Sequence, residues 1–492
     1  MPRVDRYVLI AVFSLLVPAL LALLVLPTPS SDTREAFTWG HFFSLETVKH
    51  PPMMQWVAGL TARLFGPTAF WAIIVTQILN GVAVVYVYGV FRLLVDRDRA
   101  RLFALLFATN FYLTAGALPF ALNADVLQIV SWAAIVFHAI RAADSNKWAD
   151  WLALALWAAA AVYTKYTVLV LFGSLGAASL IAPRYRKIWL NPRLYACVAA
   201  GVLMAAPLIH AIATRTDSVG HAEGLLAWDA PLGWRLYNLW QMALGLILYL
   251  APGWIILAAG FLRRDCHWAR AGDGPNPTLR FVQVANGVSF GMLALLVLVG
   301  GLSFSSRYVA PFLILFALAG CPLIEFDRTR WAGIESRTLR TLTVTATVML
   351  LAGSLIYGVF ASHDVMQEPS FEAAAALRAD WNTQYSCGPA YMLGDIGSAN
   401  GMALTGAPLP VGIPMDILRQ VSWFNADELK TKGAIVIYRD AINWAEVASA
   451  LPAVGPRDIR SITLPMLRTR TTAAYTYRYF FLPPASCPAP AG

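Results

Sequence analysis

Long apolar runs recur along this chain from near its first residue to about residue 361. Most are roughly 20 residues long, the length of an α-helix that crosses the hydrocarbon core of a bilayer. Hydrophobic residues make up 58% of the chain and charged residues 13%, whereas soluble proteins carry roughly 25% charged residues. Too few charged side chains remain to cover a soluble particle of this size. The pattern therefore predicts a polytopic α-helical membrane protein and excludes a chain that is soluble as a whole.

The hydropathy pattern predicts about eleven transmembrane helices. The first apolar run follows Arg3 and Arg6, as in a signal peptide, but it is long enough to span and no small-residue cleavage site follows it. We therefore expect it to be a retained first span. The predicted spans cover residues 7–26, 68–95, 103–120, 125–143, 149–164, 166–183, 195–213, 236–262, 281–302, 308–325 and 341–361.

Loops rich in Lys and Arg alternate with loops poor in them along the chain. The segments 97–101 and 328–340 are basic, whereas 27–67 and 303–307 are poor in basic residues. The positive-inside rule then places the N-terminus in the cytoplasm and the C-terminus outside. The net charge of +9 fits cytoplasmic loops near anionic lipid. The basic residues are scattered and form no contiguous patch, which argues against a nucleic-acid partner.

The composition changes after the last predicted span. Residues 1–361 form the predicted transmembrane domain, with 27–67 as its first outer loop, and residues 362–492 contain short alternating runs typical of a small α/β domain. Cys387 and Cys487 both lie in this second segment, where an oxidising compartment would allow a disulfide between them. The alternative is two unrelated thiols. The five cysteines have no CxxC spacing, so no zinc or redox motif is predicted.

The first outer loop contains two carboxylates three residues apart, Asp32 and Glu35. A carboxylate at the mouth of a membrane protein can accept a proton from an attacking hydroxyl or bind a cation. The same spacing fits a capping box, with Asp32 as the N-cap of a helix and Glu35 as its third residue. Both interpretations hold together if Glu35 caps the helix while Asp32 faces a site.

The same loop contains the string Lys49-His50-Pro51-Pro52. A Lys and a His just outside the bilayer can hold a lipid phosphate, and the prolines would fix their direction. The structural alternative is a turn that re-enters the interface ahead of an amphipathic helix over 53–65. The spacing alone does not decide between the two.

Two polar groups interrupt later apolar runs. Asn123 and Asp125 stand at the outer end of a span, where an Asn is most often a helix cap. Lys165, followed by Tyr166, lies within an almost continuous apolar stretch. An ionisable residue at such a position indicates a functional site by default.

Arg307 and Tyr308 lie at the outer end of another predicted span. The arginine can clamp a phosphate, or it can extend along apolar surface so that its charge reaches water. His138 lies deep in a span and is interpreted as a packed histidine. Since all the candidate groups fall on one predicted side of the membrane, the sequence predicts a single outward-facing site.

The order of these motifs resembles a known family. An acidic residue in a long first loop, Trp39-Gly40, Lys49-His50-Pro51-Pro52, Asn123-Ala124-Asp125 and a later Arg-Tyr occur together in bacterial glycosyltransferases of the GT-C class. The most similar group is the protein O-mannosyltransferase-like family, which includes the lipid A aminoarabinose and galacturonic acid transferases. The resemblance covers about residues 1–325. Its specific part is the string from Asp32 to Pro52.

The resemblance implies transfer of a sugar, with inversion, from a polyprenyl phosphate to an acceptor on the periplasmic face of the bacterial inner membrane. The acceptor would be lipid A, another glycan, a lipid or a protein. Asp32 matches the general base, Glu35 a second acidic position and Asp125 an acidic residue near the site. The substrate-binding candidates are Lys49, His50, Asn123, Lys165, Tyr166, Arg307 and Tyr308.

One departure from the family pattern is visible. Many members have an adjacent Asp-Glu pair in the loop, whereas Arg34 precedes Glu35 here, which leaves open whether Asp32 or Glu35 is the base. No metal ligands are predicted and no cofactor is required, although a Mg or Mn ion between carboxylates and phosphate fits the residue types. The main alternative function is that of a lipid or solute transporter of the inner membrane. A third possible function is that of a structural membrane subunit.

Overall fold

The computed structural model describes the larger part of the chain. The described residues are 5–17, 28–45, 50–114, 121–214, 226–269, 276–327, 333–340, 342, 344, 348, 352, 368–404, 411–421, 423–455, 458–467 and 473–487.

The membrane part is a bundle of helices, most of which are apolar. They are α1 (Arg6–Ser14), α2 (Ser31–Gly40), α3 (Met53–Phe65), α4 (Ala69–Leu94), α5 (Arg97–Ala108), α6 (Phe111–Thr114), α7 (Ala124–Ser145), α8 (Trp148–Val162), α9 (Val168–Ile181), α10 (Pro192–Thr214), α11 (Leu232–Tyr249), α12 (Ala251–Leu262), α13 (Pro277–Leu298) and α14 (Phe312–Gly320). Residues 333–340 are also helical. A two-stranded antiparallel ribbon of β1 (Cys266–Trp268) and β2 (Ile324–Phe326) joins two of the connections.

Several helices have the length and composition of membrane spans. Among the described residues four do so, namely α4, α7, α10 and α13, and a fifth span results if α11 and α12 are taken together. The helices α8 and α9 and the helical segment from Phe312 to Leu323 are apolar but shorter. A polytopic membrane fold is therefore present. The predicted span 341–361 lies mostly outside the described residues, as does the second half of the first predicted span.

Two predicted spans are broken in the structure. The run 236–262 forms α11 and α12, which are bent by 64° at Leu250. Pro252 stands in the first turn of α12, where its ring is tolerated although it would disrupt the interior of a continuous helix. The run 103–120 ends its first helix at Ala108, and Asn110 accepts a hydrogen bond from the backbone of Tyr112 at the break before α6. Both breaks lie close to the polar site described below.

The two kinds of loop gather at opposite ends of the bundle. Near the end of α4, the carbonyl of Leu94 accepts a hydrogen bond from Asn276, and Arg97 pairs with Asp5 at 2.9 Å. Eighteen residues earlier, Thr76 accepts a hydrogen bond from the backbone of Leu122. Eighteen residues of helix span about 27 Å. We call the end near Leu94, which carries the basic loops, the basic end. We call the end near Thr76 the site end.

The C-terminal segment folds on the site end as a mixed α/β unit. Its elements are α15 (Ser370–Asn382), β3 (Tyr391–Gly394), α16 (Ile396–Ala403), β4 (Val411–Pro414), α17 (Ala426–Lys432), β5 (Ala434–Arg439), α18 (Trp444–Ala450), β6 (Arg460–Pro465) and β7 (Ala474–Leu482). The five strands form one sheet in the order β4-β3-β5-β7-β6, in which β4, β3 and β5 are parallel and β7 runs antiparallel to both of its neighbours. A disulfide joins Cys387 to Cys487, whose Cα atoms are 5.8 Å apart. Central strand β5 is buried from Ala434 to Tyr438, as expected for strands covered on both faces.

Candidate active site

Helix α2 carries the first-loop carboxylates to the site end of the bundle. Its N-cap is Ser30, whose hydroxyl lies 2.8 Å from that of Thr33. The capping-box interpretation of Asp32 is therefore wrong, because the helix begins one residue before Asp32. The carboxylate in the first helical turn is still favoured by the helix dipole. Because Asp32 does not cap the helix, its carboxylate can contact other groups at the site.

Asp32 meets two partners across the site. Its Oδ2 atom accepts a hydrogen bond of 3.0 Å from the side-chain amide of Asn123, and it lies 3.2 Å from a guanidinium nitrogen of Arg307. The side chain of Asp32 is 41% exposed. The carboxylate is therefore held on one oxygen while the group remains accessible to a substrate.

Asn123 caps helix α7 and also contacts Asp32. Its Oδ1 atom accepts a hydrogen bond of 2.9 Å from the backbone N–H of Asp125 and so caps α7. Its amide nitrogen donates to Asp32. Capping fixes the rotamer of Asn123, because the side chain must serve both partners. The cap of α7 thus sets the position of the amide that holds Asp32.

A second ion pair lies beside the first. The Nζ atom of Lys165 is 2.7 Å from Oδ1 of Asp125, whose side chain is 2% exposed. The same ammonium group lies 4.4 Å from the ring centre of Tyr308. The guanidinium carbon of Arg307 lies 5.4 Å from the centre of the same ring. Two cations therefore lie near the same aromatic ring, and each of them is paired with a carboxylate.

The position of Lys165 follows from the turn that carries it. The lysine lies between α8 and α9, where five residues connect two short apolar helices. Its carbonyl accepts a hydrogen bond of 2.9 Å from Gln128, and the hydroxyl of Thr167 donates to the other end of the same amide at 2.7 Å. Gln128 is one helical turn after Asp125 and shares its face of α7. The two predicted spans that meet at Lys165, 149–164 and 166–183, are therefore separate helices with the lysine in the turn between them.

The remaining sequence-predicted residues are placed less fully. Lys49 lies outside the described residues. His50 is half-buried just before α3, which covers Met53–Phe65 as the sequence predicts. Tyr166 is half-buried beside Lys165, and Glu35 is buried on α2.

Two tyrosines at the site were missed by sequence reasoning. Tyr112, which is buried, and Tyr249 meet edge to face with their ring centres 5.3 Å apart. Both interact electrostatically with Asp125 and Arg307. Each stands next to one of the two helix breaks, and the polar Thr109-Asn110 pair within an apolar run was the signal that could have found the first.

The described residues contain no group of three or more His, Cys, Asp and Glu side chains arranged to hold a metal ion. Within that part of the chain, Asp32 and Asp125 instead each face a cationic side chain. A site of this kind can bind a phosphate through Lys165 and Arg307 and accept a proton on a carboxylate. Charge-assisted hydrogen bonds of this kind are stronger than those between neutral groups.

The chain is similar to known proteins in sequence and in fold. A profile of the dolichyl-phosphate-mannose-protein mannosyltransferase family matches residues 49–210, about a third of the chain. The structure of ArnT from Cupriavidus metallidurans bound to undecaprenyl phosphate superposes with a TM-score of 0.60 at 12% identity, covering 96% of this chain and 97% of that one. The apo state of the same protein gives 0.59 at 13% identity over the same shares. No curated protein sequence matches the chain.

The two kinds of comparison support different statements. At this identity the structural likeness shows the fold, which is that of the GT-C membrane proteins. The profile match adds the sequence relationship, and it includes His50, Asn123, Asp125 and Lys165. The predicted resemblance to this family is therefore confirmed, with the sequence match over residues 49–210.

Proposed function

We propose that this membrane protein, which has the GT-C fold and resembles the protein O-mannosyltransferase-like family, transfers a sugar from a polyprenyl phosphate to an acceptor hydroxyl. Asp32, held beside Arg307 at 3.2 Å, is the observation that carries the proposal. An inverting transfer needs a base near the acceptor hydroxyl and a positive group near the departing phosphate, and this contact brings one group of each kind to the same site. Fold alone does not establish activity, so the proposal depends on these side chains.

The reaction needs few protein groups. The acceptor oxygen attacks the anomeric carbon and inverts it, while the bond from that carbon to the phosphate oxygen breaks. The acceptor proton passes to the Asp32 carboxylate, with Glu35 on the same helix as the second acidic candidate. The polyprenyl phosphate leaves with the bonding electrons. Because this leaving group is already a stable anion, it needs positive neighbours more than a general acid.

We take Lys165 and Arg307 as these positive neighbours. Asp125 lies 2.7 Å from Lys165, and the charged groups of Lys165 and Arg307 lie 4.4 and 5.4 Å from the ring centre of Tyr308. We assign phosphate binding to this group, together with Lys49, His50, Asn123 and Tyr166. The ArnT structure that shares the fold was determined with undecaprenyl phosphate, which supports a polyprenyl phosphate as the donor.

The proposed reaction requires no metal ion. Two side-chain cations are available for the leaving phosphate, so transfer should persist in EDTA. If Mg or Mn proved necessary, the ion would have to take over part of the phosphate binding assigned to Lys165 and Arg307.

The proposed location is the bacterial inner membrane, with the site end facing the periplasm. A labelling experiment tests it with a membrane-impermeant maleimide in a variant that lacks the three free cysteines but keeps the disulfide. A cysteine at Asp440, which is 77% exposed in the C-terminal unit, should react in intact cells. A cysteine at exposed Lys187 of the basic end should react only after lysis. The opposite pattern would overturn the orientation.

The activity is tested with purified protein in lipid and radiolabelled polyprenyl phosphate sugars. Hexose, pentose, uronic acid and amino sugar donors should be offered with lipid A, glycan, lipid and protein acceptors from the same envelope. Transfer from one of these donors is expected. If the protein instead moved the intact lipid-linked sugar across the bilayer without transferring the sugar, it would be a flippase. That result would contradict the proposed function.

A further inference from the structure

Arg34 follows Asp32 by two residues on α2 and points away from the site. Successive residues of an α-helix are rotated by about 100°, so these two side chains lie about 200° apart, on nearly opposite sides. Arg34 is 1% exposed. Its surroundings belong to the C-terminal unit.

The guanidinium of Arg34 makes an ion pair with the carboxylate of Glu368, which is also buried. The hydroxyl of Tyr477, on strand β7, donates a hydrogen bond of 2.9 Å to the other carboxylate oxygen of Glu368. Burial raises the pKa of Tyr477, and the nearby Glu368 raises it further, so the phenol remains a donor at neutral pH. The Nε atom of Arg34 also donates to the carbonyl of Pro29 at 2.9 Å. The arginine thus ties the start of α2 to the C-terminal unit.

Helix α16 packs against α2 at the same place. A Cβ atom on Gly401 would lie 2.6 Å from a guanidinium nitrogen of Arg34 and 3.0 Å from the hydroxyl of Ser370. The approach of the two helices therefore depends on glycine at this position. One turn along α2, the hydroxyl of Thr38 donates to the carbonyl of Arg34 at 2.9 Å and lies 3.4 Å from the carbonyl of Asn400.

Aromatic side chains continue the contact to the end of α2. Trp39 is 1% exposed and belongs to the core of the C-terminal unit, together with Tyr391 and Ile413. Phe42 stacks on Trp423 with their ring centres 5.4 Å apart and their planes within 7°. One side of α2 is therefore buried against the C-terminal unit while Asp32, on the other side, remains partly exposed.

We propose that Arg34, Glu368 and Tyr477 are positioning residues that fix the catalytic carboxylate by holding α2 against the C-terminal unit. The inference rests on the proposed function, since it concerns the base of that reaction. A buried ion pair contributes little more to stability than apolar side chains of the same size. Its directional hydrogen bonds do fix an orientation, and small displacements of a reacting group can reduce turnover by up to about a hundredfold. The C-terminal unit is on this account part of the catalytic machinery.

The test separates orientation from stability with a double variant. Arg34→Met alone leaves a buried carboxylate without its cation, and Glu368→Gln alone leaves a buried cation, so both single variants should be destabilised. Arg34→Met/Glu368→Gln removes both charges and should recover the melting temperature. We expect its kcat to stay at least about tenfold below the wild-type value, with the KM for the donor unchanged within about twofold. A double variant that is both stable and fully active would overturn the inference.

A matched control lies elsewhere in the same unit. Arg460 contacts both carboxylate oxygens of Asp380 at 2.6 Å, and the hydroxyl of Tyr479, on strand β7, donates to the same carboxylate at 2.8 Å. These three residues all belong to the C-terminal unit. Arg460→Met/Asp380→Asn should therefore retain the wild-type kcat. A loss equal to that of the Arg34 double variant would show that any change to the C-terminal unit impairs turnover, and the specific role of Arg34 would be refuted.

A second measurement does not depend on activity. Amide hydrogen exchange of residues 31–40 should accelerate in Arg34→Met/Glu368→Gln, while strands β5 and β7 keep their protection. Unchanged exchange in α2 would contradict the inference even if the protein proved not to be a transferase. Conversely, an active wild type, an inactive Asp32→Asn and a fully active double variant would refute only the positioning role and leave the proposed function in place.

Discussion

The ammonium group of Lys165 lies 2.7 Å from a carboxylate oxygen of Asp125, and both side chains are largely buried at the site end of the bundle. The contact joins residues that are forty positions apart, one in the first turn of α7 and one in the turn between α8 and α9. Charges in such surroundings are retained when they are paired. The pair therefore places the Lys165 ammonium group at the site, and the same ammonium group balances the charge of the Asp125 carboxylate.

Removing the lysine should destabilise the protein. Lys165→Met leaves the Asp125 carboxylate buried and unpaired, which costs about 3–5 kcal/mol. The double variant Asp125→Asn/Lys165→Met removes both charges and should recover most of that loss. Thermal unfolding in detergent measures the difference. Equal melting temperatures for the single and double variants would show that the two side chains do not interact.

Arg307 is expected to act on donor binding. Arg307→Met removes one of the two cations assigned to the phosphate, and a charge-assisted contact of this kind contributes about 1.5–3 kcal/mol. The Kd for undecaprenyl phosphate should rise by about one to two orders of magnitude, and Arg307→Lys should recover part of the loss. Titration followed by native mass spectrometry gives both values. An unchanged Kd in Arg307→Met would remove Arg307 from the phosphate site.

The crossing of α2 and α3 depends on two glycines. A Cβ atom on Gly59 would collide with the backbone of Gly40, and one on Gly40 would collide with the carbonyl of Gln55. Gly59→Ala should therefore force the helices apart and cost about 1–3 kcal/mol. Gly176→Ala, in α9, is the control, because nothing lies within 4 Å of the added carbon. Gly59→Ala should also lower kcat, since α2 carries Asp32.

The disulfide should stabilise the C-terminal unit. Cys387 and Cys487 are 100 residues apart, and closing so long a loop contributes about 2–5 kcal/mol. Cys387→Ser should migrate without reduction as the reduced wild type does, and its C-terminal unit should be digested faster by protease. Identical digestion of variant and wild type would show that the unit is held by its core and by α2 alone.

Much of the site could be predicted from isolated polar residues in apolar surroundings. Asn123, Asp125 and Arg307 lie at the outer ends of predicted spans and Lys165 lies between two of them. Polar groups in such positions indicate function, and their common side of the membrane predicted a single site. The boundaries of α4, Ala69–Leu94, also follow closely from the apolar run 68–95, because a long uninterrupted run has one compatible structure.

Other features depend on contacts that no local pattern contains. The pairing of Arg34 with Glu368 joins residues 334 positions apart, and in sequence Arg34 was only a departure from the family pattern. The spacing of Asp32 and Glu35 suggested a cap, but Ser30 takes that position, since Ser and Asp are about equally good N-caps. The bend at Leu250 was hidden within a continuous apolar run, where Pro252 was the only local signal.

The central claim is that the carboxylate of Asp32 accepts the proton of the acceptor. The most direct measurement is single-turnover transfer by Asp32→Asn from a radiolabelled polyprenyl phosphate sugar, with Glu35→Gln and exposed Asp440→Asn measured beside it. Loss of a general base reduces the rate by about 10²–10⁴-fold, so Asp32→Asn should fall by that factor while it still binds undecaprenyl phosphate, and Asp440→Asn should match the wild type. Transfer by Asp32→Asn at the wild-type rate would contradict the account.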